Sequence, residues 1–221
     1  METTSPGDDS ELRDTARPVA IVFGNRVAPY HPLGGVEVVL RSLLERDFRV
    51  RVTEDTAELV TGLADARLVV AYADTWETPL PDVQADALVG FVSRGGGLLV
   101  LHNGVCWAKH PKVKALIGAS FTGHPDQEVM PYRLEASHAI STGQQGFEMR
   151  EEPYRYDFVA DASADVFLVY EQGGKPWPAG WTRTQGAGRM AALQPGHTPA
   201  AFENPGYASL VQRAARWCAR A

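Results

Sequence analysis

Short apolar runs alternate with segments of helical periodicity through the first half of the chain, and this alternation limits the possible folds. The apolar runs are PVAIVFG, FRVRVTED, RLVVAYAD and LLVLH. The segments between them, such as VEVVLRSLLERD and DVQADALVGFVSRGG, place apolar residues three and four positions apart. Strands separated by such helices are typical of βαβ units. The pattern therefore predicts an α/β fold with a mostly parallel sheet and helices on both faces.

The second half of the chain contains short strand-like pieces separated by turn residues. These pieces are EVMPYRLEA, FEMREEPYRYDF, DVFLVYEQ, PAGWTRT and GRMAALQPGH. The final segment, FENPGYASLVQRAARWCARA, carries an apolar stripe at helical spacing and is predicted to be one helix. Because the 221 residues contain no repeat and no linker, we expect residues 18–221 to form one domain, preceded by a disordered leader at residues 1–17.

Charge and composition exclude several classes of partner. The formal charge of −6 disfavours nucleic acid and anionic membrane, because a phosphate surface repels an acidic protein. No apolar run approaches the roughly 20 residues of a membrane-spanning helix, and the polar start of the chain does not resemble a signal peptide. Two cysteines are too few for a disulfide framework. We expect a cytoplasmic protein, as a monomer or a homo-oligomer.

Polar residues follow the predicted parallel strands at the edge where such sheets bind ligands. His102 and Asn103 end one strand, Asp74 and Thr75 follow another, and His197 ends the last strand-like piece. Imidazoles transfer protons near neutral pH, and a nearby carboxylate assists them. The two histidines are therefore predicted to share one crevice.

The stretch that follows His102 offers two other types of site. Cys106 lies a full helical turn beyond the sharp turn in which a nucleophile would stand, so covalent thiol catalysis is disfavoured. His102, Cys106 and His110 are spaced by four residues, as zinc ligands on a helix often are. Against a zinc site, His110 precedes a proline, which biases it out of a helix.

Five motifs in order resemble the trehalose-utilisation (ThuA-like) family, whose fold is similar to class I glutamine amidotransferases. The motifs are GGGLLVLHNG, LIGASFTGHP, EASHAIS, FEMREEPYRY and GRMAALQPGHTPAAFENP. The resemblance implies a flavodoxin-like, doubly wound sheet in which the amidotransferase cysteine is absent. It also implies a role in carbohydrate catabolism, often of oxidised (keto) sugars.

The resemblance also assigns family positions to residues of this chain. The strand-end histidine falls on His102, the histidine of the GHP motif on His124 and the late histidine on His197. The acidic-acidic-x-Tyr segment falls on Glu151, Glu152 and Tyr154. Two departures are Pro153, which replaces an aliphatic residue, and the loop NRVAPYHPLGG, which leaves the role of His31 open.

Together these observations predict an enzyme that performs acid/base chemistry on a small sugar or keto-sugar without a cysteine nucleophile. His102, Glu152 and His197 are the predicted catalytic residues, and Asn103, Trp107, His124 and Tyr154 are predicted to bind substrate. The cofactor is left open. A divalent metal such as zinc would polarise the sugar carbonyl, with His102, His124 and Glu152 as its first candidate ligands. The alternatives are a non-catalytic sugar-binding or regulatory protein and an amidase-like hydrolase that uses Cys106.

Overall fold

The structure is a computed structural model that describes residues 17–135, 137–160 and 163–220. Of the leader predicted for residues 1–17, all but Arg17 lie outside the described residues.

The predicted alternation is present in the first half of the chain. The strands are β1 (Val19–Gly24), β2 (Arg49–Thr53), β3 (Ala66–Tyr72) and β4 (Gly97–Leu101). The helices are α1 (Leu33–Leu44), α2 (Glu58–Thr61), α3 (Asp82–Ser93), a 3-10 helix (His102–Lys109) and α4 (Pro111–Ile117). Helix α2 is a single turn, shorter than the segment TAELVTGLADA predicts, because Gly62 follows it and favours the end of a helix.

The second half adds seven strands and two helices. The strands are β5 (Ala119–Gly123), β6 (Glu128–Leu134), β7 (Phe147–Glu151), β8 (Arg155–Phe158), β9 (Asp165–Gln172), β10 (Lys175–Gln185) and β11 (Gly188–Leu193). The helices are α5 (Pro199–Glu203) and α6 (Pro205–Ala219), where the sequence predicts one helix. The helix breaks at Asn204, because Pro205 disfavours a helical conformation there and the Asn204 side chain caps α6 by accepting from Gly206 and Tyr207.

Nine strands form the main sheet in the order β2-β1-β3-β4-β11-β10-β9-β6-β7. The neighbours from β2 to β11 pair in parallel, and those from β11 to β7 pair antiparallel. Strands β5 and β8 form a separate antiparallel pair. The prediction of a flavodoxin-like α/β fold is confirmed, and its parallel core carries an antiparallel extension.

Helices cover both faces of the parallel core, as predicted. Helices α1 and α6 pack on one face, and α3, the 3-10 helix and α4 pack on the other. Strands β1 and β4 are buried along their whole length, which explains their continuous apolar sequences. Among the described residues, no helix has both the length and the apolar character needed to cross a bilayer.

The segment FEMREEPYRYDF, which reads as one strand-like piece, is divided between the two sheets. Strand β7 pairs with β6 in the main sheet, whereas β8 pairs with β5. The residues between them leave both ladders, and Pro153 has no N–H to donate to either. This interruption places Glu152 and Tyr154 beside the carboxyl edge of the parallel strands.

Candidate metal centre

Three histidines from distant parts of the chain meet at the carboxyl edge of the parallel core. His31 lies in the loop after β1, His102 directly follows β4, and His197 follows β11. Strands β4 and β11 are neighbours whose last residues are paired, so the residues that follow them leave the sheet side by side. The strand ends therefore bring His102 and His197 together, as the sequence predicts, and add His31.

One carboxylate oxygen lies at the centre of these rings. Oε2 of Glu152 is 3.4 Å from Nε2 of His31, 3.3 Å from Nε2 of His102 and 3.2 Å from Nδ1 of His197. Ligand atoms of all four residues lie within 4.8 Å of one another. The four side chains thus form a compact cluster of three imidazoles and one carboxylate.

The backbone at His102 directs its ring into the cluster. His102 adopts a φ of 43°, a left-handed conformation that is uncommon for a residue with a side chain and is often found at functional sites. The following turn lies against β3, where a side chain on Gly104 would overlap the carbonyl of Ala71. His102, and not Asn103 or Cys106, is therefore the residue in the strained turn directly after the strand.

A hydrogen bond determines which nitrogen of His102 faces the cluster. Nδ1 lies 2.7 Å from the carbonyl oxygen of Gln194, which can only accept, so Nδ1 carries the proton. In the neutral ring Nε2 then presents a lone pair toward Glu152. Burial lowers the pKa of His102 to about 4, so the ring is neutral at physiological pH.

The side chains of Glu151 and Gln194 form hydrogen bonds with the backbone beside His197 and Glu152. Oε1 of Glu151 accepts the N–H groups of Gly196 (2.9 Å) and His197 (3.1 Å), and the Gln194 amide donates to the Glu152 carbonyl. Gly196 has a φ of 143°, which favours glycine. Burial raises the pKa of Glu151 to about 7, although these N–H groups oppose the rise.

The electrostatics of Glu152 and His197 are coupled. Burial alone would raise the pKa of Glu152, but the surrounding imidazoles of His102, His197 and His31 outweigh burial and hold that pKa well below its ordinary range. In return, the Glu152 carboxylate raises the pKa of His197. Glu152 is therefore an anion at neutral pH.

These residues fit a divalent metal ion. A neutral His102 directs a lone pair at a carboxylate oxygen 3.3 Å away, a repulsive contact that a cation between the two atoms would reverse. Within the described chain, Nε2 of His102 and Nδ1 of His197 are buried without a properly aligned hydrogen-bond partner. Ligand atoms of a tetrahedral zinc site stand about 3.3 Å apart at bond lengths of about 2.0–2.1 Å. The distances to Glu152 match that spacing.

A pocket of about 430 Å³ opens onto the cluster. His31, Glu152 and His197 form its inner wall, and the remaining lining residues are Pro29, Tyr30, Trp76, Glu77, Phe121, His124 and Tyr154. Lysine and arginine are absent from the described residues that line it. The pocket therefore combines a polar, metal-competent wall with aromatic side chains.

His124 and Tyr154, both predicted to bind substrate, lie in this pocket. Nε2 of His124 is 3.9 Å from Oε1 of Glu152, and its ring stands at the rim, 35% exposed. The Tyr154 ring is stacked between His102 and His124, with centroid distances of 4.3 and 5.4 Å. His124 is not in the four-residue cluster, where His31 and His197 stand instead.

The structure places two side chains predicted to bind substrate, Asn103 and Trp107, outside the lining of the pocket. Asn103 is fully buried, and its amide donates to the carbonyls of Tyr72 (3.0 Å) and Ala73 (2.8 Å), so it ties the turn to the end of β3. Trp107 is also fully buried and packs edge-to-face on Phe23. Neither side chain reaches the pocket.

Cys106 and His110 stand outside the cluster. The Cys106 thiol is buried, contacts the Thr75 hydroxyl at 3.2 Å and donates to the carbonyl of Ala73. Burial raises the pKa of Cys106 to about 11, the opposite of what a nucleophile requires. His110 pairs with Asp82, so the zinc triplet weighed on spacing does not form.

The sequence left the role of His31 open and did not single out Trp76, and both residues line the pocket. His31 follows β1 as His102 follows β4, so the rule that strand ends converge could have included it, but six loop residues separate it from the strand. Trp76 follows β3 in the same way and packs on Phe121 at a centroid distance of 4.9 Å. The Trp76 ring lines the pocket, whereas the ring of Trp107, which was predicted to bind substrate, is buried.

Comparison with known proteins agrees with this architecture. A ThuA-like protein from Parabacteroides merdae is 18% identical, with 92% of this chain and 90% of that chain covered and a TM-score of 0.78. A second from Bacteroides uniformis is 17% identical, with 92% of each chain covered and a TM-score of 0.71. At these identities the likeness shows the fold alone. No curated protein sequence matches significantly. The family model described as "Trehalose utilisation" matches residues 20–218, and the chain therefore belongs to the ThuA family.

Proposed function

We propose that this chain is a metal-dependent enzyme of carbohydrate metabolism that enolises a small, unphosphorylated keto-sugar. The observation that carries the proposal is the cluster in which three imidazole nitrogens lie 3.2–3.4 Å from one oxygen of Glu152 at the wall of an open pocket. His31, His102, Glu152 and His197 would hold the metal. When bound, a divalent metal polarises a carbonyl and stabilises negative charge on its oxygen.

His124 is the residue best placed to move a proton. Its Nδ1 lies 2.9 Å from the carbonyl of Pro125, which can only accept, so Nδ1 carries the proton of the neutral ring. Nε2 then holds a lone pair on the pocket side. In the proposed step, Nε2 removes a proton from the carbon next to the carbonyl, the electron pair of that C–H bond forms the C=C bond of the enolate while the carbonyl π pair moves onto oxygen, and His124 returns a proton to the same carbon.

Tyr154 supports this step as a hydrogen-bond donor. Burial raises the pKa of Tyr154 above its ordinary value, so the hydroxyl keeps its proton at neutral pH. The hydroxyl oxygen lies 3.4 Å from Nε2 of His31, beside the cluster. It would therefore donate to an oxygen of a sugar bound in the pocket.

The pocket lining favours an uncharged sugar over a sugar phosphate. Phosphate groups are recognised by arginine and lysine, whereas the described lining carries the carboxylates of Glu77 and Glu152. The aromatic rings of Tyr30, Trp76 and Phe121 offer apolar surfaces to the faces of a sugar ring. The family description, trehalose utilisation, agrees with a carbohydrate ligand.

The experiment combines elemental analysis with proton exchange. We expect the purified protein to hold a stoichiometric divalent metal, and we expect NMR to detect deuterium next to the carbonyl of keto-glucose or keto-trehalose in D₂O. Chelated protein and His124→Asn should not catalyse the exchange, whereas His110→Asn, which alters an imidazole outside the pocket, should do so. Absence of exchange across these sugars with metals added would contradict the proposal. Thermal stabilisation by sugar without exchange would favour the non-catalytic binding protein.

A further inference from the structure

We propose that Asp74 is the positioning residue for His31, and that its carboxylate accepts the Nδ1 proton of that ring so that Nε2 faces the metal cluster. This inference rests on the metal-binding function proposed above. Asp74 follows the end of β3 and lies against the loop that carries His31.

The Asp74 carboxylate is held against the His31 loop by backbone hydrogen bonds. Its Oδ2 accepts the N–H groups of Tyr30 (3.1 Å) and His31 (3.0 Å). The N–H group of Asp74 itself donates to Oδ1 of Asn25 at 2.9 Å. The side chain has no solvent exposure. Asp74 is thus fixed beside His31 without any contribution from the imidazole ring.

The second oxygen of Asp74 and the near nitrogen of His31 are left facing each other. Within the described residues, Oδ1 of Asp74 and Nδ1 of His31 are both buried without a hydrogen-bond partner. They lie 3.9 Å apart. A ring displacement of about 1 Å would bring them to hydrogen-bond distance. Because buried polar groups are nearly always paired in folded proteins, the two atoms are natural partners.

This pairing would determine the tautomer of His31. A carboxylate can only accept, so Nδ1 must carry the proton, and the neutral ring then holds its lone pair on Nε2. Nε2 is the nitrogen that lies 3.4 Å from Oε2 of Glu152. Metal-bound histidines commonly donate their other N–H to a carboxylate or a carbonyl in this way.

His102 shows the same arrangement with a different acceptor. Its Nδ1 donates to the Gln194 carbonyl at 2.7 Å, so its Nε2 also points a lone pair at Glu152. Asp74 and Gln194 would therefore prepare two metal ligands in the same tautomer. The backbone supplies the acceptor for His102, whereas a side chain that can be changed by mutation supplies it for His31.

The substitution Asp74→Asn tests the inference because it keeps the size of the side chain. The amide oxygen can still accept from Tyr30 and His31, but the amide nitrogen then faces Nδ1 and favours the tautomer with the proton on Nε2. We expect zinc affinity, measured by chelator competition, to fall 10- to 100-fold. We also expect the visible spectrum of the cobalt-loaded protein to change. Equal zinc affinity in Asp74→Asn and wild type would overturn the inference.

The matched control is Asn25→Ala, which removes the acceptor of the Asp74 N–H and loosens the same loop without altering the carboxylate. It should lower the melting temperature of the metal-free protein and leave zinc affinity within about threefold of wild type. A loss of affinity as large as that of Asp74→Asn would mean that Asp74 acts only through loop structure, and would overturn the inference.

A readout without metal separates this inference from the proposed function. Nitrogen-15 NMR of the metal-free wild-type protein, with His31 assigned by His31→Gln, should show the His31 proton on Nδ1. A proton on Nε2 with none on Nδ1 would overturn the positioning role even if Asp74→Asn failed to fold. If wild type bound no metal while the proton was on Nδ1, the positioning of His31 would stand and the metal-dependent function would fail.

Discussion

Five of the six histidines of this chain occupy two kinds of surroundings, and the sixth, His124, stands at the rim of the pocket. His110 and His138 have both ring nitrogens paired: His110 with Asp82 and the Lys112 N–H, and His138 with Thr182 and the Ile140 N–H. At the carboxyl edge, by contrast, His31, His102 and His197 each leave a buried nitrogen without an aligned partner in the described chain. This difference indicates that the remote rings serve the fold, while the strand-end rings are arranged for a group that the protein must bind.

The largest effect should follow from Glu152→Gln. The carboxylate lies at the centre of the three imidazoles, and the neutral amide removes the only negative charge within the four-residue cluster. We expect at least a 100-fold loss of metal affinity and loss of keto-sugar exchange. Elemental analysis after dialysis and the NMR assay measure both.

The matched control for that substitution is Glu148→Gln, which neutralises an exposed carboxylate on β7. It should keep full metal content and exchange. If Glu152→Gln also kept stoichiometric metal, the unpaired nitrogens of the strand-end histidines would no longer indicate a metal site built around Glu152.

The next effect should be that of His124→Asn. His124 faces the pocket from outside the four-residue cluster, so we expect kcat for exchange to fall about 10²- to 10⁴-fold, the usual contribution of a general base, with metal content unchanged. Steady-state kinetics and elemental analysis of the same preparation test this separation. Loss of metal along with activity would instead place His124 among the ligands.

A smaller effect, on stability alone, should follow from His138→Ala. The substitution leaves the Ile140 N–H and the Thr182 hydroxyl without their partner, which should lower the free energy of unfolding by about 1–3 kcal/mol. Denaturant unfolding measures this loss. Metal affinity should remain at the wild-type value, and a weaker affinity would show that the two regions are coupled.

Cys106→Ser should have the smallest effect, with kcat for exchange within about twofold of wild type. The thiolate form of Cys106 is scarce at pH 8 because burial raises its pKa to about 11. Iodoacetamide should therefore label the native thiol slowly, and labelling should become faster as pH rises or denaturant is added. Fast labelling at pH 8 with loss of activity would support the amidase-like alternative.

The residues at the carboxyl edge of the sheet could be predicted from the sequence only in part. His102 and His197 were predicted together because each ends an apolar strand, and the structure brings them into one cluster beside the pocket, although their catalytic role stays a prediction. Trp107, predicted to bind substrate, is buried away from the pocket, and its sequence neighbours do not reveal which face of the 3-10 helix its ring will occupy. The role of His31 stayed open because its loop does not match the family closely, and a loop with two prolines gives no periodicity from which to place a side chain.

The sequence by itself determined the parallel core, since alternating apolar runs and amphipathic segments have few other ways to bury their hydrophobic surface. It also determined that polar residues follow several strands at one edge. Only the tertiary structure decided which of them meet: His31 and Glu152 are 121 residues apart in the chain. Their contact depends on strand order and on the break between β7 and β8. It also depends on two hydrogen bonds of the Glu152 backbone, whose carbonyl accepts from the Gln194 amide and whose N–H donates to the Glu151 carboxylate. These long-range interactions leave no local pattern in the sequence.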